Sequence, residues 1–93
     1  MAQITQLDNR WEIAGDIEMD NANALLMRSQ DLVLAENTLV DFAHVTEIDT
    51  AAISLILEWQ RRAIAEKKQL RLVNLPTNLI SLTHLYGVAD LIN

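Results

Sequence analysis

The sequence predicts a single α/β domain in which helices pack against one sheet. Short β-rich runs alternate with segments of helical periodicity, in the order β-β-α-β-α-β-α, and 51% of the residues are apolar. Strands that alternate with helices over this length favour at least one parallel strand pair joined by a helical crossover. The chain has 93 residues, enough for one hydrophobic core, so we expect residues 1–93 to form one domain.

The first two elements are predicted to be short strands. Gln3 to Leu7 and Arg10 to Ile17 are separated by an Asp-Asn pair, which is typical of a tight turn. From Trp11 onward apolar and polar residues alternate, as expected of a strand whose two faces differ.

A first helix is predicted next, capped by Asp20 or Asn21 and ending near Glu36 and Asn37. Several apolar residues fall near one stripe of this helix: Ala22, Leu25, Leu26, Leu32 and Val33. The run TLVDF at 38–42 is rich in β-formers and is expected to be a central strand, followed by a loop AHVTEID.

The strongest helical pattern runs from about Thr50 to Lys67. Its apolar arc spans about 200 degrees, twice what one buried face requires. Either neighbouring helices and loops bury the surplus, or one edge of the arc binds a protein. The far end is cationic at Arg61, Arg62, Lys67 and Lys68. Cations there complement the helix dipole as a solvated face, and the alternative is a patch for an acidic partner.

The chain is expected to close with a strand and a helix. QLRLVN at 69–74 is aliphatic and reads as the fourth strand. Pro76 and Thr77 suit the start of a helix that runs to Tyr86, with Gly87 ending it in a left-handed conformation. The tail VADLIN is expected to pack back onto the body. Leu25, Val40, Ile56 and Leu72 are predicted core positions.

Composition excludes several classes of function. The net charge of −6 disfavours nucleic acid and anionic membranes as partners, and no stretch is apolar enough to insert into a membrane. There is no cysteine, and the two glycines lie far apart, so no phosphate-binding loop is expected. His44 and His84 lack metal-ligand spacing. We therefore expect no metal, no cofactor and no enzymatic activity, in a cytoplasmic protein without a signal peptide.

The segment EIDTAAISLI at 47–56 places an acid and a hydroxyl at the start of the strongest helix. Asp49 or Thr50 can cap that helix by accepting one of its unpaired N–H groups. A phosphate on Thr50 would be favoured by the helix dipole but opposed by Glu47 and Asp49, so capping is the preferred interpretation and phosphorylation is disfavoured.

The block LVDFAHVTEIDTAAISLILEWQRRAIAEKKQLRLVNL resembles the centre of the STAS domain, a family that includes the anti-sigma factor antagonists. Its hallmarks are a hydrophobic strand ending in Asp, a short loop, and then Asp-Ser-Ser-Gly or Asp-Thr-Gly-Gly opening a helix. Asp41, Asp49 and Thr50 stand in those places. WEIAGDIEMDNANAL and THLYGVADLI resemble the family's first and last segments. The resemblance implies a four-stranded mixed sheet with helices mainly on one side.

The resemblance also implies a non-catalytic binding module. The subgroup it suggests is the small subunit that attaches to the ATPase of a phospholipid-transporting ABC complex in Gram-negative bacteria, peripheral to the inner membrane. The alternative is a regulatory switch of the anti-sigma factor antagonist kind. That switch uses the second hydroxyl of Asp-Ser-Ser-Gly, where this chain has Ala51, and the motif's glycines are alanines here.

The partner surface is expected at the start of the second large helix, where side chains protrude and Ala51 and Ala52 allow close approach. The predicted binding residues are Asp49, Thr50, Ala51 and Ser54, with Ile53, Leu55 and Glu58 at the margin.

Overall fold

A computed structural model describes residues 2–88, and it confirms the predicted fold class and the order of elements. The strands are β1 (Gln3–Leu7), β2 (Arg10–Ile17), β3 (Asn37–Ile48) and β4 (Gln69–Val73). The helices are α1 (Ala22–Ser29), α2 (Ala51–Ala65) and α3 (Thr77–Leu85). None of the helices in residues 2–88 is both long and apolar enough to span a bilayer.

The four strands form one mixed sheet, as predicted, and their order in the sheet is β1-β2-β3-β4. β1 and β2 form an antiparallel hairpin, whereas β2 with β3 and β3 with β4 are parallel. Parallel neighbours need a crossover connection, and α1 and α2 are those two crossovers. Both helices therefore begin at the same end of the sheet, where β2 and β3 finish.

The core lies between the helices and one face of the sheet. Trp11, Val40 and Leu72 are register neighbours across β2, β3 and β4, and all three are buried. Leu25 of α1 and Ile56 of α2 are buried over them, so all four predicted core positions are confirmed. The opposite face of the sheet carries mainly polar side chains, including Gln3, Thr5, Glu12 and Arg71.

Two tryptophans form the centre of this core. The rings of Trp11 and Trp59 meet edge to face, with centroids 5.8 Å apart and an interplanar angle of 81°. Each buried indole also has a partner for its N–H: Trp59 donates to Ser29 Oγ at 2.8 Å, and Trp11 donates to the Val33 carbonyl at 3.3 Å. The pair is therefore both packed and satisfied in its hydrogen bonding.

The first helix is shorter than predicted, because it ends at Ser29 and not near Glu36. The Arg62 guanidinium donates to the carbonyl of its last residue, Ser29, at 2.9 Å and to the carbonyl of Leu32 in the following loop at 2.8 Å. Ser29 Oγ donates to the Leu26 carbonyl while accepting the Trp59 N–H. These bonds replace the ones that continuing the helix would have made.

The residues after α1 cross to the outer strand instead. Gln6 of β1 holds Val33 on both sides, accepting its N–H at 3.1 Å and donating to its carbonyl at 2.9 Å. Leu34 is buried and Val33 is exposed, so the apolar spacing that predicted a longer helix belongs to a loop that packs over the core.

The central strand is longer than predicted, running to Ile48 where a loop from Ala43 was expected. Its register with β2 shifts twice, first between the pairs Glu12–Asp41 and Ala14–His44. Asp41 Oδ1 accepts the Ala43 N–H at 2.9 Å across this irregularity. The polar residues of the second half read as a loop, yet the bulges let them continue the sheet beside β2.

Asp41 is a buried carboxylate on the polar side of the sheet, with 7% of its surface exposed. Arg10 Nη1 contacts its Oδ2 at 2.7 Å, and Asn74 Nδ2 donates to its Oδ1 at 2.9 Å. Burial by itself would raise the pKa of Asp41, but the hydrogen bonds from Asn74, Ala43 and Arg10 outweigh it and lower the pKa from 3.8.

Replacing Asp41 by asparagine should lower the free energy of unfolding by about 1.5–3 kcal/mol at neutral pH, because the amide sets a donor against the donors that surround it. A carboxyl whose pKa is lowered on folding stabilises the fold above its unfolded pKa, and this contribution disappears as pH falls through the folded pKa. The difference between parent and variant should therefore shrink below about pH 4. Denaturant unfolding from pH 7 to pH 2 measures it, with the exposed Asp31→Asn as control. A gap that persists unchanged at pH 2 would contradict this account.

The remaining element ends follow the predictions closely. α2 stops two residues early, at Ala65, because Lys67 has a φ of 58° and the Lys68 N–H turns back to the Ala63 carbonyl at 2.8 Å. Gly87 has a φ of 69° after α3, which confirms its predicted role. Val88 packs against the core, whereas residues 89–93 of the tail lie outside the described part of the chain.

The wide apolar arc of α2 is buried mainly within the domain. Six of its residues are buried: Ala52, Ile53, Leu55, Ile56, Trp59 and Ala63. The sheet, α1 and α3 all pack against this helix, which explains the surplus over a single face. Ile64 is the exception, with 78% of its surface exposed.

Candidate partner-binding groove

Asp49 caps α2 and also holds the neighbouring loop. Its Oδ1 accepts the Ala51 N–H at 2.8 Å, and its Oδ2 accepts the Met19 N–H at 3.0 Å. Thr50 already has helical dihedral angles, φ −64° and ψ −18°, and its side chain makes no cap bond. Of the two residues that could cap this helix, Asp49 does so.

This division of roles makes a paired prediction. Asp49→Ala should lower the free energy of unfolding by about 0.5–2 kcal/mol, since it removes the cap. Thr50→Ala should change it by less than about 0.5 kcal/mol, the usual range for a surface position without such a bond. Thermal and denaturant unfolding of both variants, beside the parent, measures the two losses. An equal or larger loss at Thr50 would show that its hydroxyl supports the helix.

Asn21 shapes the loop between β2 and α1. It stands at the N-cap position of α1, but its side chain makes no cap bond there. Instead its Oδ1 accepts the Glu18 N–H at 2.8 Å, and its Nδ2 donates to the carbonyl and carboxylate of Asp16 at 2.9 and 3.0 Å. Asn21, one of the two predicted caps, therefore stabilises the loop that carries Met19 instead of capping α1.

The starts of α1 and α2 enclose an open groove of about 390 Å³. Five predicted residues line it: Thr50, Ala51, Ser54, Leu55 and Glu58. Asp49 caps α2 but is not among the residues that line the groove. Ile53 is buried in the core and does not line the groove, so the structure separates it from the others.

The other wall of the groove comes from residues that were not predicted to bind a partner: Met19, Ala22, Asn23 and Leu26. Ala22 and Leu26 are one helical turn apart, which is the pattern that could have indicated them. Met19 has 78% of its surface exposed, at the edge of an otherwise mostly apolar lining. Methionine adapts its shape readily, and exposed methionines are frequent on protein-binding surfaces.

The loop that carries Met19 is acidic. The carboxylates of Asp16, Glu18 and Asp20 lie within 4.8 Å of one another. A hydrogen bond with Asp16 raises the pKa of Glu18, and desolvation and the negative charges of Asp16, Asp20 and Asp49 add to the increase. Hydrogen bonds to its own backbone N–H and to Glu18 lower the pKa of Asp16. An exposed acidic cluster is not in itself a metal centre, and here it gives one side of the groove a negative potential.

Comparison with known proteins identifies the family of this chain. A family model described as "Mlab, STAS domain" matches residues 2–93. No curated protein matches the chain. Among solved structures, the anti-sigma factor antagonist SpoIIAA in its unphosphorylated form superposes with a TM-score of 0.75 at 12% identity, covering 100% of this chain and 86% of that one.

Two further structures share the fold. The Bacillus cell fate determinant SpoIIAA in its phosphorylated form gives a TM-score of 0.66 at 13% identity, over 100% of this chain and 89% of that chain. A crystal structure of Mglu gives 0.61 at 23% identity, over 81% of this chain but only 20% of that one. Identities this low establish the fold alone, whereas the family model covers nearly every residue. The chain therefore belongs to the STAS domain family, and the model that it matches is the one described for MlaB.

Proposed function

We propose that this chain is a non-catalytic STAS subunit that binds the MlaF-like ATPase of a phospholipid-transporting ABC complex and supports its assembly or activity. In this role it is a cytoplasmic protein, peripheral to the inner membrane of a Gram-negative cell through the complex, and it serves outer-membrane lipid asymmetry. The match to the MlaB family model over residues 2–93 supports the assignment to this class.

The observation that carries the proposal is the groove between the starts of α1 and α2. It is open and has a mostly apolar lining, with the small side chain of Ala51 in its wall, so another protein's side chain can approach the helix closely. Concave sites with an apolar lining and a few polar groups are the usual form of a binding site. The acids beside Met19 favour a partner that presents a cation next to its apolar anchor.

A phosphorylation switch is not part of this proposal. Thr50 lines the groove, and a phosphate there would add negative charge to an end of the molecule that already holds Asp16, Glu18, Asp20 and Asp49. The hydroxyl that the anti-sigma antagonists use is replaced by Ala51. Intact-mass analysis of protein isolated from cells tests this point, and a phosphorylated form would favour the regulatory alternative.

Co-expression with the cognate ATPase of the same genome tests the proposed function. We expect the two proteins to elute together from a sizing column and to bind in calorimetry with purified components. The ATPase should also be less stable, or less active, without this chain. A chain that remains monomeric beside a folded ATPase, and leaves its rate and melting temperature unchanged, would refute the proposal.

A further inference from the structure

The charges of this chain are strongly segregated. Residues 57–71 carry five of the seven cations and two of the thirteen acids, so this stretch is basic in a chain whose net charge is −6. It comprises the second half of α2 and the start of β4. The fifteen residues of α2 span about 21 Å, so Lys67 and Lys68, which follow its last residue, lie more than two Debye lengths from its first residue at physiological salt.

Among contacts within residues 2–88, Arg62 is the one of these cations that has an extensive structural role. Arg62 donates to two carbonyls after α1, contacts Glu66 at 2.7 Å and lies 5.7 Å from the Trp11 ring centre. Arg61 pairs with Glu58 in an exposed contact of the kind that contributes little to stability. Lys67 and Lys68 have no ion pair within residues 2–88. The helix dipole does not require two lysines beyond the last turn.

The backbone conformation of Lys67 also indicates that this lysine is not needed for the fold. Its φ of 58° is in the left-handed region, where glycine is the usual residue at the end of a helix and a side chain such as lysine is disfavoured. The fold would therefore accept glycine at this position, and the lysine adds charge at a cost in stability. Residues held in sparsely populated backbone conformations cluster at functional sites.

A second groove, of about 640 Å³, lies beside these cations between α2 and the start of β4. Leu57, Ala63, Ile64 and Leu70 supply its apolar surface, and Arg61 and Lys68 supply its charge. Ile64 is 78% exposed here. We propose that this groove is a second docking site, which takes an acidic segment of a partner protein whose aliphatic side chain packs on Ile64.

The chemistry of the groove selects this occupant. Arg61 and Lys68 attract carboxylates, and the apolar surface between them can pack against an aliphatic side chain. An acidic amphipathic segment provides both. The net charge of −6 disfavours an anionic bilayer as the occupant and favours a segment of a protein. The inference does not depend on the ATPase, because it rests on the end of α2 opposite the first groove.

Short synthetic peptides test the proposal on the intact chain. The first peptide carries leucines on one face of a helix and glutamates on the other. The second has lysines in place of the glutamates, and the third has serines in place of the leucines. Fluorescence anisotropy should show saturable binding of the first alone, weakened by added salt. Lys68→Glu should weaken binding about tenfold, because it removes an attraction and adds a repulsion. Arg28→Glu makes the same charge change on α1 and should leave binding within about twofold.

Lys67→Gly separates function from folding. It should raise the melting temperature, since glycine suits the positive φ, and at the same time weaken binding of the acidic peptide. Binding to anionic vesicles of phosphatidylglycerol and phosphatidylcholine tests the alternative that the groove binds a membrane. The proposal fails if the acidic peptide does not bind, if Lys68→Glu and Arg28→Glu weaken it equally, or if the vesicles bind through Lys68 while the peptide does not.

Discussion

Replacing Trp59 by alanine is expected to lower the free energy of unfolding by about 3–5 kcal/mol. Its indole is fully buried, meets the Trp11 ring edge to face at 5.8 Å and donates its N–H to Ser29. Small domains have a total stability of only about 5–15 kcal/mol, so this one truncation removes a large share of it. Urea denaturation followed by circular dichroism measures the loss.

Two companion variants divide that loss into parts. Trp59→Phe keeps an aromatic ring against Trp11 but leaves Ser29 Oγ without its donor, so we expect a smaller loss of about 1–3 kcal/mol. Ser29→Ala leaves the buried indole N–H unpaired and should cost a similar amount. A Trp59→Ala variant that unfolds within 1 kcal/mol of the parent would mean that the side chain is not in the core.

Replacing Ala51 by arginine is expected to abolish binding to the ATPase while leaving the fold intact. Ala51 lines the first groove at the start of α2, and a long charged side chain there would fill the space that the partner is proposed to occupy. The site is partly exposed and arginine is a good helix former, so the melting temperature should stay close to that of the parent. Calorimetric titration into the ATPase measures the binding.

Ala65→Arg is the matched control. It makes the same substitution on the same helix, at an exposed residue about 21 Å from Ala51. Full binding by Ala65→Arg and none by Ala51→Arg would assign the interface to the first groove. The reverse result would move the interface to the basic end of α2. Full binding by both variants, at unchanged melting temperatures, would contradict the groove as the docking site.

Local patterns predicted the elements whose boundaries depend on nearby residues. The alternation from Trp11 and the turn at Asp8 and Asn9 predicted β1 and β2 with the bounds that the structure has. Gly87 likewise marked the end of α3. These features are determined within a few residues of chain, and tertiary packing agrees with them.

The two errors arise where distant residues decide the local structure. α1 ends early, and Arg62, more than thirty residues away, bonds to the carbonyl of its last residue, Ser29. β3 continues through polar residues because bulges keep it paired with β2. Hydrophobic periodicity depends only on residues that are close in sequence, so it cannot predict the contact with Arg62 or the pairing with β2.

The candidate site likewise has one part that could be predicted from nearby residues and one part that depends on distant ones. The family resemblance placed its predicted residues at the start of α2, and most of them line one groove. The wall formed by Met19 and Leu26 of the α1 side was missed, because it exists only through the packing of α1 on α2. The residues at the start of α2 also left the cap undecided between Asp49 and Thr50, which the hydrogen bonds resolve.

The two bonds of Asp49 have a consequence for the mobility of the groove. One carboxylate joins the first turn of α2 to the backbone at Met19, so the two walls are linked by a single side chain. Fluctuations that would widen one wall against the other must break a charge-assisted hydrogen bond. The ordering entropy of this loop is therefore lost during folding and not at the moment of association. A partner therefore meets two walls whose backbones are already positioned, and more of the contact energy remains as affinity.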